Sequence, residues 1–345
     1  MTTPLVSIVI PTHDRKDLLL EMLEWLGHQE FSPKDLEVIV VLDGCTDNTL
    51  AALKEAHTPY ALCAAPQAQA GPSAARNNGA RLAKGDVLVF MDDDLLPMPM
   101  FLERHIQFHR QDERALVLGR FLPERHARKQ GWHIWEEQIF AKHYRYMEAG
   151  KRPPAGRRLY SGNFSLRREQ FLAAGGFDER LKRGEDVELG FRLEKAGLRF
   201  YFSPEAAAIH RGYRSFESWC NSAYLYGRTD VQLARERGHQ QVLPEIRGWY
   251  RRLHPAMRRV VGATLGHATL HKQTLAGLRA AGGVLTTLHG HKAAHYTYSG
   301  IYKLQYWRGV ADELGGREAF RENIAQGPAN ADPSTAKNST SASGT

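Results

Sequence analysis

Apolar runs that alternate with helical stripes along the first hundred residues constrain this chain more than any other feature. Residues 5–10 form a β-branched apolar run stopped by Pro11, the pattern of a buried strand. Residues 14–27 carry an apolar stripe at helical spacing (Leu18, Met22, Trp25, Leu26), with Asp14 as the expected N-cap and Gly27 as the stop. A second apolar run, 36–42, leads into Asp43-Gly44 and a helix-like stretch over 47–56. A short strand is expected over 60–65, a helix over 72–83 ended by Lys84-Gly85, and a strand over 87–91 that contains no polar residue. Strand-helix-strand repetition at this spacing predicts an α/β fold with a doubly wound, mostly parallel sheet.

Beyond this core the signals are mixed. Residues 132–147 are dense in aromatics and expected to be helical, either as core or lid packing. Residues 151–158 form a basic Pro/Gly loop, and 185–196 a helix bounded by Gly184 and Gly197. From residue 211 to 321, Lys and Arg outnumber Asp and Glu more than twofold, so this segment accounts for the whole net charge of +8. It reads as helical, with Arg247, Arg251, Arg252, Arg258 and Arg259 gathered around Trp249 and Tyr250. Residues after Gln326 lack large apolar side chains and are expected to form a disordered tail. Three scattered cysteines (Cys45, Cys63, Cys220) support neither a disulfide framework nor a structural zinc site. No signal peptide and no apolar run of membrane-spanning length is visible, so a cytoplasmic protein is expected, with peripheral attachment at the inner face of the plasma membrane as an extension of that reading.

In a parallel α/β sheet ligands collect beyond the carboxyl ends of the strands. Thr12, His13, Asp14 and Arg15 follow the first apolar run, Asp43 the second, and Asp92, Asp93 and Asp94 the strand over 87–91. Three adjacent carboxylates repel one another, and a hard divalent cation, Mg²⁺ or Mn²⁺, relieves that cost. The alternative is a solvated acidic turn. Gly71-Pro72 opens a helix with Arg76 one turn in, which suits a phosphate or a base edge, or equally a surface arginine. Glu185-Asp186 at the start of a helix serves catalysis or simple capping. Glu188 and Arg192 are expected to form a surface pair, and His210 is either a structural histidine or a metal ligand.

Taken in order, VSIVIPTHDR, VVLDGCTDNT, GPSAARNNGARLAKGD, VFMDDDLLP, SGNFSLRREQFLAAGGFDE and GEDVELGFRLEKAGLRFYFSPEAAAIH resemble the family-2 inverting glycosyltransferases of GT-A-type fold. The resemblance runs over roughly residues 5–210. It implies a nucleotide-sugar-binding half over 1–102, an acceptor and catalytic half over 103–212, and a basic helical extension over 213–325 before the tail at 326–345. By the same resemblance Asp92-Asp93-Asp94 is the DXD motif, with Asp94 the direct metal ligand and Asp92 and Asp93 shared among metal, ribose and diphosphate. Pro11, Thr12, Asp14, Asp43 and Arg76 surround the nucleotide, Asp186 matches the catalytic base beside Glu185, His210 reaches the metal or diphosphate, and Gly162-Asn163 lines the acceptor side.

The implied reaction is Mn²⁺- or Mg²⁺-dependent transfer of a hexosyl group, with inversion, from a nucleoside-diphosphate sugar to an acceptor hydroxyl. UDP is the favoured nucleotide, and the acceptor a glycan or lipid-linked molecule of cell-surface glycan or glycolipid assembly. A divalent ion offsets charge on the leaving diphosphate, and a carboxylate on the opposite face supplies a general base contributing roughly 10²–10⁴ in rate. The chain departs from the family at Leu42, where a second acidic or amide residue is usual, at His13-Asp14 and at Cys45. It lacks the Q-x-x-R-W block and membrane helices of processive synthases, which implies addition of one or a few sugars. The competing reading is an inactive nucleotide-sugar-binding or scaffolding protein. The basic C-terminal region suits contact with anionic lipid; nucleic acid is not expected, since no nucleic-acid motif accompanies its arginines.

Overall fold

The structure, a computed structural model, describes residues 6–125 and 129–325; the tail expected over 326–345 lies outside the described residues. The chain divides at Phe216 into two compact units.

The first unit is built on one eight-stranded sheet. Its elements are β1 (Val6–Thr12), α1 (Lys16–Leu26), β2 (Leu36–Asp43), α2 (Thr49–Glu55), β3 (Ala61–Gln67), α3 (Pro72–Leu82), β4 (Val87–Met91), β5 (Leu95–Pro97), α4 (Phe101–Gln111), β6 (Ala115–Pro123), α5 (Gly131–Glu148), β7 (Asn163–Arg167), α6 (Arg168–Ala173), α7 (Glu185–Lys195) and β8 (Arg199–His210). Strand order is β3-β2-β1-β4-β7-β6-β8-β5. β1 pairs in parallel with β2 and β4, β2 with β3, and β6 with β8, whereas β7 runs antiparallel to both β4 and β6, and β5 antiparallel to β8. The stretches expected as donor and acceptor halves therefore share a sheet.

Side-chain alternation along β1, β2 and β4 separates two apolar layers. Ile8, Ile10, Val38, Val40, Val87 and Val89 face α1 (Leu19, Met22, Leu26) and α4 (Phe101, Ile106). Val9, Ile39, Val41, Leu88 and Phe90 face the other layer, with Ala75 and Ala80 of α3 and Leu189 and Leu193 of α7. The α3 helix lies close to the sheet because Gly79 packs directly on Val9 and Val41, where a Cβ would collide with Val9. That approach carries Arg76 down from the surface; it is 4% exposed.

Two local expectations are corrected. Asp14 is not the N-cap of α1: it sits at φ 50 and turns its carboxylate to the Thr46 amide (2.6 Å), while Asp47 accepts from the Lys16 amide at the helix start (2.9 Å). Glu188 and Arg192 form the expected pair, at 2.6 Å, but not at the surface. Glu188 is buried, and the Arg192 guanidinium it orients donates to the carbonyls of Ala174 and Gly176, pinning α7 to the loop after α6.

The second unit is helical: α8 (Phe216–Glu236), which opens at the boundary, α9 (Val242–Arg251), α10 (Pro255–Thr264), α11 (Ala268–Thr287), α12 (His291–Leu314) and α13 (Arg317–Phe320). α8 and α12 meet backbone to backbone at Gly227 and Gly309. Tyr250 is buried, edge-on to Trp307 and Phe320, whereas Trp249 is partly exposed. Among the described residues no helix is long and apolar enough to cross a membrane.

Candidate active site

The loops after β1 and β2 are tied into one rim. His13 Nδ1 lies 2.7 Å from the Asp43 carbonyl, Cys45 Sγ 3.4 Å from that of Thr12, and Asp14 holds the Thr46 amide. Asp43, expected at the nucleotide, is buried and commits its carboxylate to Gln67 Nε2 (2.9 Å) and to the amides of Ala70 (2.7 Å) and Gly71 (2.8 Å). It thereby sets the entry into α3, where Gly71 takes φ 94, in the left-handed region. Pro11 is half-buried at the same rim, and Leu42 is fully in the core, so the polar function missing there is not replaced by its side chain.

Asp92, Asp93 and Asp94 extend from β4 with three different environments. Asp93 is buried; it accepts from Thr12 Oγ1 at 2.8 Å and from Arg15 Nη1 at 3.0 Å. Desolvation raises its pKa to about 6, against the opposing pull of Arg15. Asp94 also accepts from Arg15, 2.9 Å from its Oδ2. Its Oδ1 is buried without a hydrogen-bond donor and stands 3.7 Å from His210 Nε2. β5 pairs with the end of β8, Leu95 opposite His210, and that register brings the imidazole to the acid. Asp92 is the more open carboxylate, held at 2.5 Å by Arg76 Nη2.

Two glycines make room for these carboxylates. A Cβ at Gly162 would overlap Asp92 Oδ2, and one at Gly212 would overlap Asp94 Oδ2. A buried, undonated carboxylate oxygen facing an imidazole nitrogen, with its cradle kept open by Gly212, is a donor set that fits Mn²⁺ or Mg²⁺. A second group, Asp14, Cys45 and Asp47, brings its ligand atoms within 4.8 Å of one another. Both carboxylates there are already engaged, with Thr46 and with the starts of α1 and α2.

Asn163, expected on the acceptor side, is fully enclosed. Its amide donates to the carbonyls of Arg120 and Ala206 and accepts from the His105 ring, a bracing role that leaves no atom for an acceptor. Gly162 beside it faces Asp92.

Glu185 and Asp186 open α7 after Gly184, which takes φ 73. Both are buried. Burial, reinforced by the Glu185 charge, raises the Asp186 pKa to about 7. Arg76 Nη1 lies 3.7 Å from Glu185 Oε1 while Nη2 holds Asp92, and the guanidinium lies 5.6 Å from the Phe177 ring. Arg76 is therefore a buried link between the two acidic sites and not a surface arginine. Loop residue Gly156 abuts Gly190 of α7 backbone to backbone, so the basic loop is seated on the helix that carries Asp186.

Asp92 and His210 also form part of the wall of a cavity of about 340 Å³. Phe121, Phe140 and Tyr144 supply its apolar surface, with Arg120, Glu136 and Glu137 among its polar groups. The aromatic stretch of α5 is thus split: Trp135 and Met147 pack inward while Phe140 and Tyr144 line the cavity. The sequence places Arg15 on this rim without giving it a role, and the cavity escapes a reading of the sequence altogether. Arg15 stands one residue beyond the recognised acid, and the cavity gathers side chains from four separated segments.

The model described as glycosyl transferase family 2 matches residues 7–173. The chain is 30% identical over 270 residues to a validoxylamine A glucosyltransferase of Streptomyces hygroscopicus subsp. limoneus; the match covers 70% of this chain and 58% of that protein's length. Two solved structures share the fold. A mannosyltransferase from Pyrobaculum calidifontis, in complex with GDP-Man and Mn²⁺, superposes with TM-score 0.59 at 21% identity, covering 91% of this chain and 88% of the other. S. aureus TarS 1-349, in complex with UDP-GlcNAc, does so with TM-score 0.51 at 17% identity, covering 87% and 90%. The eight-stranded sheet with helices on both faces is the GT-A-type architecture of these neighbours. Residues 7–173 thus form a domain of the glycosyl transferase family 2 type.

Proposed function

We propose that the protein is a non-processive, inverting glycosyltransferase that moves a hexosyl group from a nucleoside-diphosphate sugar to an acceptor hydroxyl with the help of Mn²⁺ or Mg²⁺. The observation that carries this reading is the Arg76 bridge. One buried cation joins Asp92, in the triplet suited to a diphosphate and its metal, to Glu185, next to the carboxylate suited to be a base. An inactive nucleotide-sugar-binding or scaffolding protein has no need of a second acidic site linked to the first.

Asp94 Oδ1 and His210 Nε2 would hold the ion, which when bound supplies positive charge to the leaving diphosphate. Arg76 orients Asp92 from below, and Thr12 and Arg15 fix Asp93. The aromatic cavity beside Asp92 and His210 takes the acceptor, stacking an apolar ring face on Phe121, Phe140 or Tyr144 and excluding water. Asp186 takes the proton from the attacking hydroxyl; its raised pKa suits a base working near neutrality. UDP is the favoured nucleotide. The glucosyltransferase relative supports hexosyl transfer, and the GDP-Man and Mn²⁺ of one neighbour and the UDP-GlcNAc of another support a nucleotide-sugar donor and a divalent ion.

Calorimetric titration of UDP-, GDP- and dTDP-sugars, with Mn²⁺ and again with EDTA, tests the donor half. Metal-dependent binding of one donor is expected. Asp186→Asn should keep that binding and lose transfer. Donor binding with no transfer by the unsubstituted protein, across glycan and lipid-linked acceptors, would favour the scaffolding reading.

A further inference from the structure

Residues 246–311 contain no Asp or Glu in 66 positions, against ten Lys and Arg and six His. The same run holds most of the protein's exposed large apolar side chains among the described residues: Trp249, Val260, Leu270, Val284, Leu288 and Tyr296. Three of these lie at one place. Val284 and Leu288 end α11 and Tyr296 sits near the start of α12, so the turn between the helices presents side chains 58%, 72% and 65% exposed. His289, His291 and Lys292 stand exposed among them.

Helix α11 has the same character along its length. Only His271 and Gly282 of its twenty residues are buried; Leu270, Ala276, Gly277, Ala280, Ala281 and Gly283 face solvent, and Lys272 and Arg279 flank them. A solvated basic face explains the lysines and arginines but not the apolar tip, which costs free energy in water. An aqueous anionic partner explains the charge but not Leu288. Basic side chains around protruding aliphatic and aromatic groups match a surface that is anionic outside and apolar beneath.

We propose that the turn joining α11 and α12, with the acid-free helices beside it, is a docking surface for an anionic lipid bilayer. Val284, Leu288 and Tyr296 enter the headgroup and upper acyl region, and Lys272 and Lys292 pair with lipid phosphates. The protein lies on the membrane; none of its described helices spans it.

The experiment is co-sedimentation of the full chain with phosphatidylcholine vesicles, with and without phosphatidylglycerol, at low and at physiological salt. Partition onto the anionic vesicles alone is expected, weakening with salt. Leu288→Asp should lower it about tenfold or more, the loss of one buried leucine, and Lys292→Glu about fivefold or more. Both side chains are exposed, so circular dichroism should show unchanged melting. In Leu288→Trp, tryptophan fluorescence should shift to the blue on binding and be quenched by brominated lipid. Absence of partition, equal partition onto uncharged vesicles, or partition indifferent to Leu288→Asp would overturn the proposal. So would a concentration-dependent dimer, detected by light scattering, that is abolished by Leu288→Asp while vesicles bind neither form; the tip would then belong to a second copy of this chain.

Discussion

Asp92 and Glu185 share one cation, the guanidinium of Arg76, which is 2.5 Å from the first carboxylate and 3.7 Å from the second. A lysine in its place is a point charge that cannot span both. Arg76→Lys is therefore expected to fold, to bind donor with a modest loss, and to lower kcat by about 10²-fold, the cost of a misplaced catalytic group. Arg76→Met, leaving two carboxylates without their cation, should in addition lower stability by about 3 kcal/mol. Wild-type kcat in the lysine variant would remove the bridge from the mechanism.

Arg15 bears on metal affinity. Its guanidinium lies on Asp93 and on Asp94 Oδ2, the acid whose other oxygen faces His210. A fixed positive charge there repels a divalent ion, although half-exposure screens it. Arg15→Ala should therefore bind Mn²⁺ about fivefold more tightly in the absence of donor. Electron paramagnetic resonance of free Mn²⁺ reads this directly. Weaker binding would mean that Arg15 positions Asp94 for the ion and does not compete with it.

Gly162 is required by its neighbour. A methyl group there overlaps Asp92 Oδ2, so Gly162→Ala should displace the carboxylate and lower transfer by about 10²-fold. Gly277, on the open face of α11, has nothing within 4 Å of its missing Cβ. Gly277→Ala should accordingly raise stability by about 0.5–1 kcal/mol with transfer unchanged. Equal activity of the two variants would show that Asp92 tolerates displacement.

The parts of this site carried on single strands are legible in the sequence, and the parts made by packing are not. β1, β2 and β4 announce themselves because both faces are buried and the runs are continuously apolar, so the acids at their ends can be placed on a rim. β7 is harder to place: nothing local to residues 163–167 says that this strand inserts antiparallel between β4 and β6. Arg76 reads as a surface residue because the small side chains that lower α3 onto Val9 and Val41 have no helical-stripe signature. The cavity depends on β6, α5 and the end of β8 meeting, which no local pattern encodes.

Asp186 should give the pH dependence of transfer. A base must be deprotonated, and desolvation with Glu185 alongside holds its pKa at about 7. kcat/KM is expected to rise tenfold per pH unit below that value and to level off above it. Replacing Glu185 with Gln removes the neighbouring negative charge and should move the midpoint to lower pH. A midpoint that stays in place would assign the titration to another group.

Two buried histidines beneath the site make the stability of the fold depend on pH. His105 bonds Ser165 Oγ and Asn163 Oδ1, both at 2.9 Å, and His109 bonds the same serine at 2.8 Å. Desolvation lowers their pKa values to about 4 and about 3. Both values lie below the unfolded value near 6.5, so the stability they contribute is complete above pH 6.5 and is lost as pH falls toward the folded values, because the unfolded chain gains protons first. Two such groups give a slope of about 2.7 kcal/mol per pH unit once the unfolded histidines are charged. Asp93 and Asp186, whose pKa values are raised, act with the opposite sign between pH 4 and 7. The wild-type curve alone mixes the two effects, and the difference between wild type and His109→Gln separates them. Urea midpoints at pH 7.5, 6 and 5 should show the variant destabilised at pH 7.5 and the gap narrowing steadily toward pH 5. A gap independent of pH would mean that His109 takes up its proton over the same pH range in the folded and the unfolded chain.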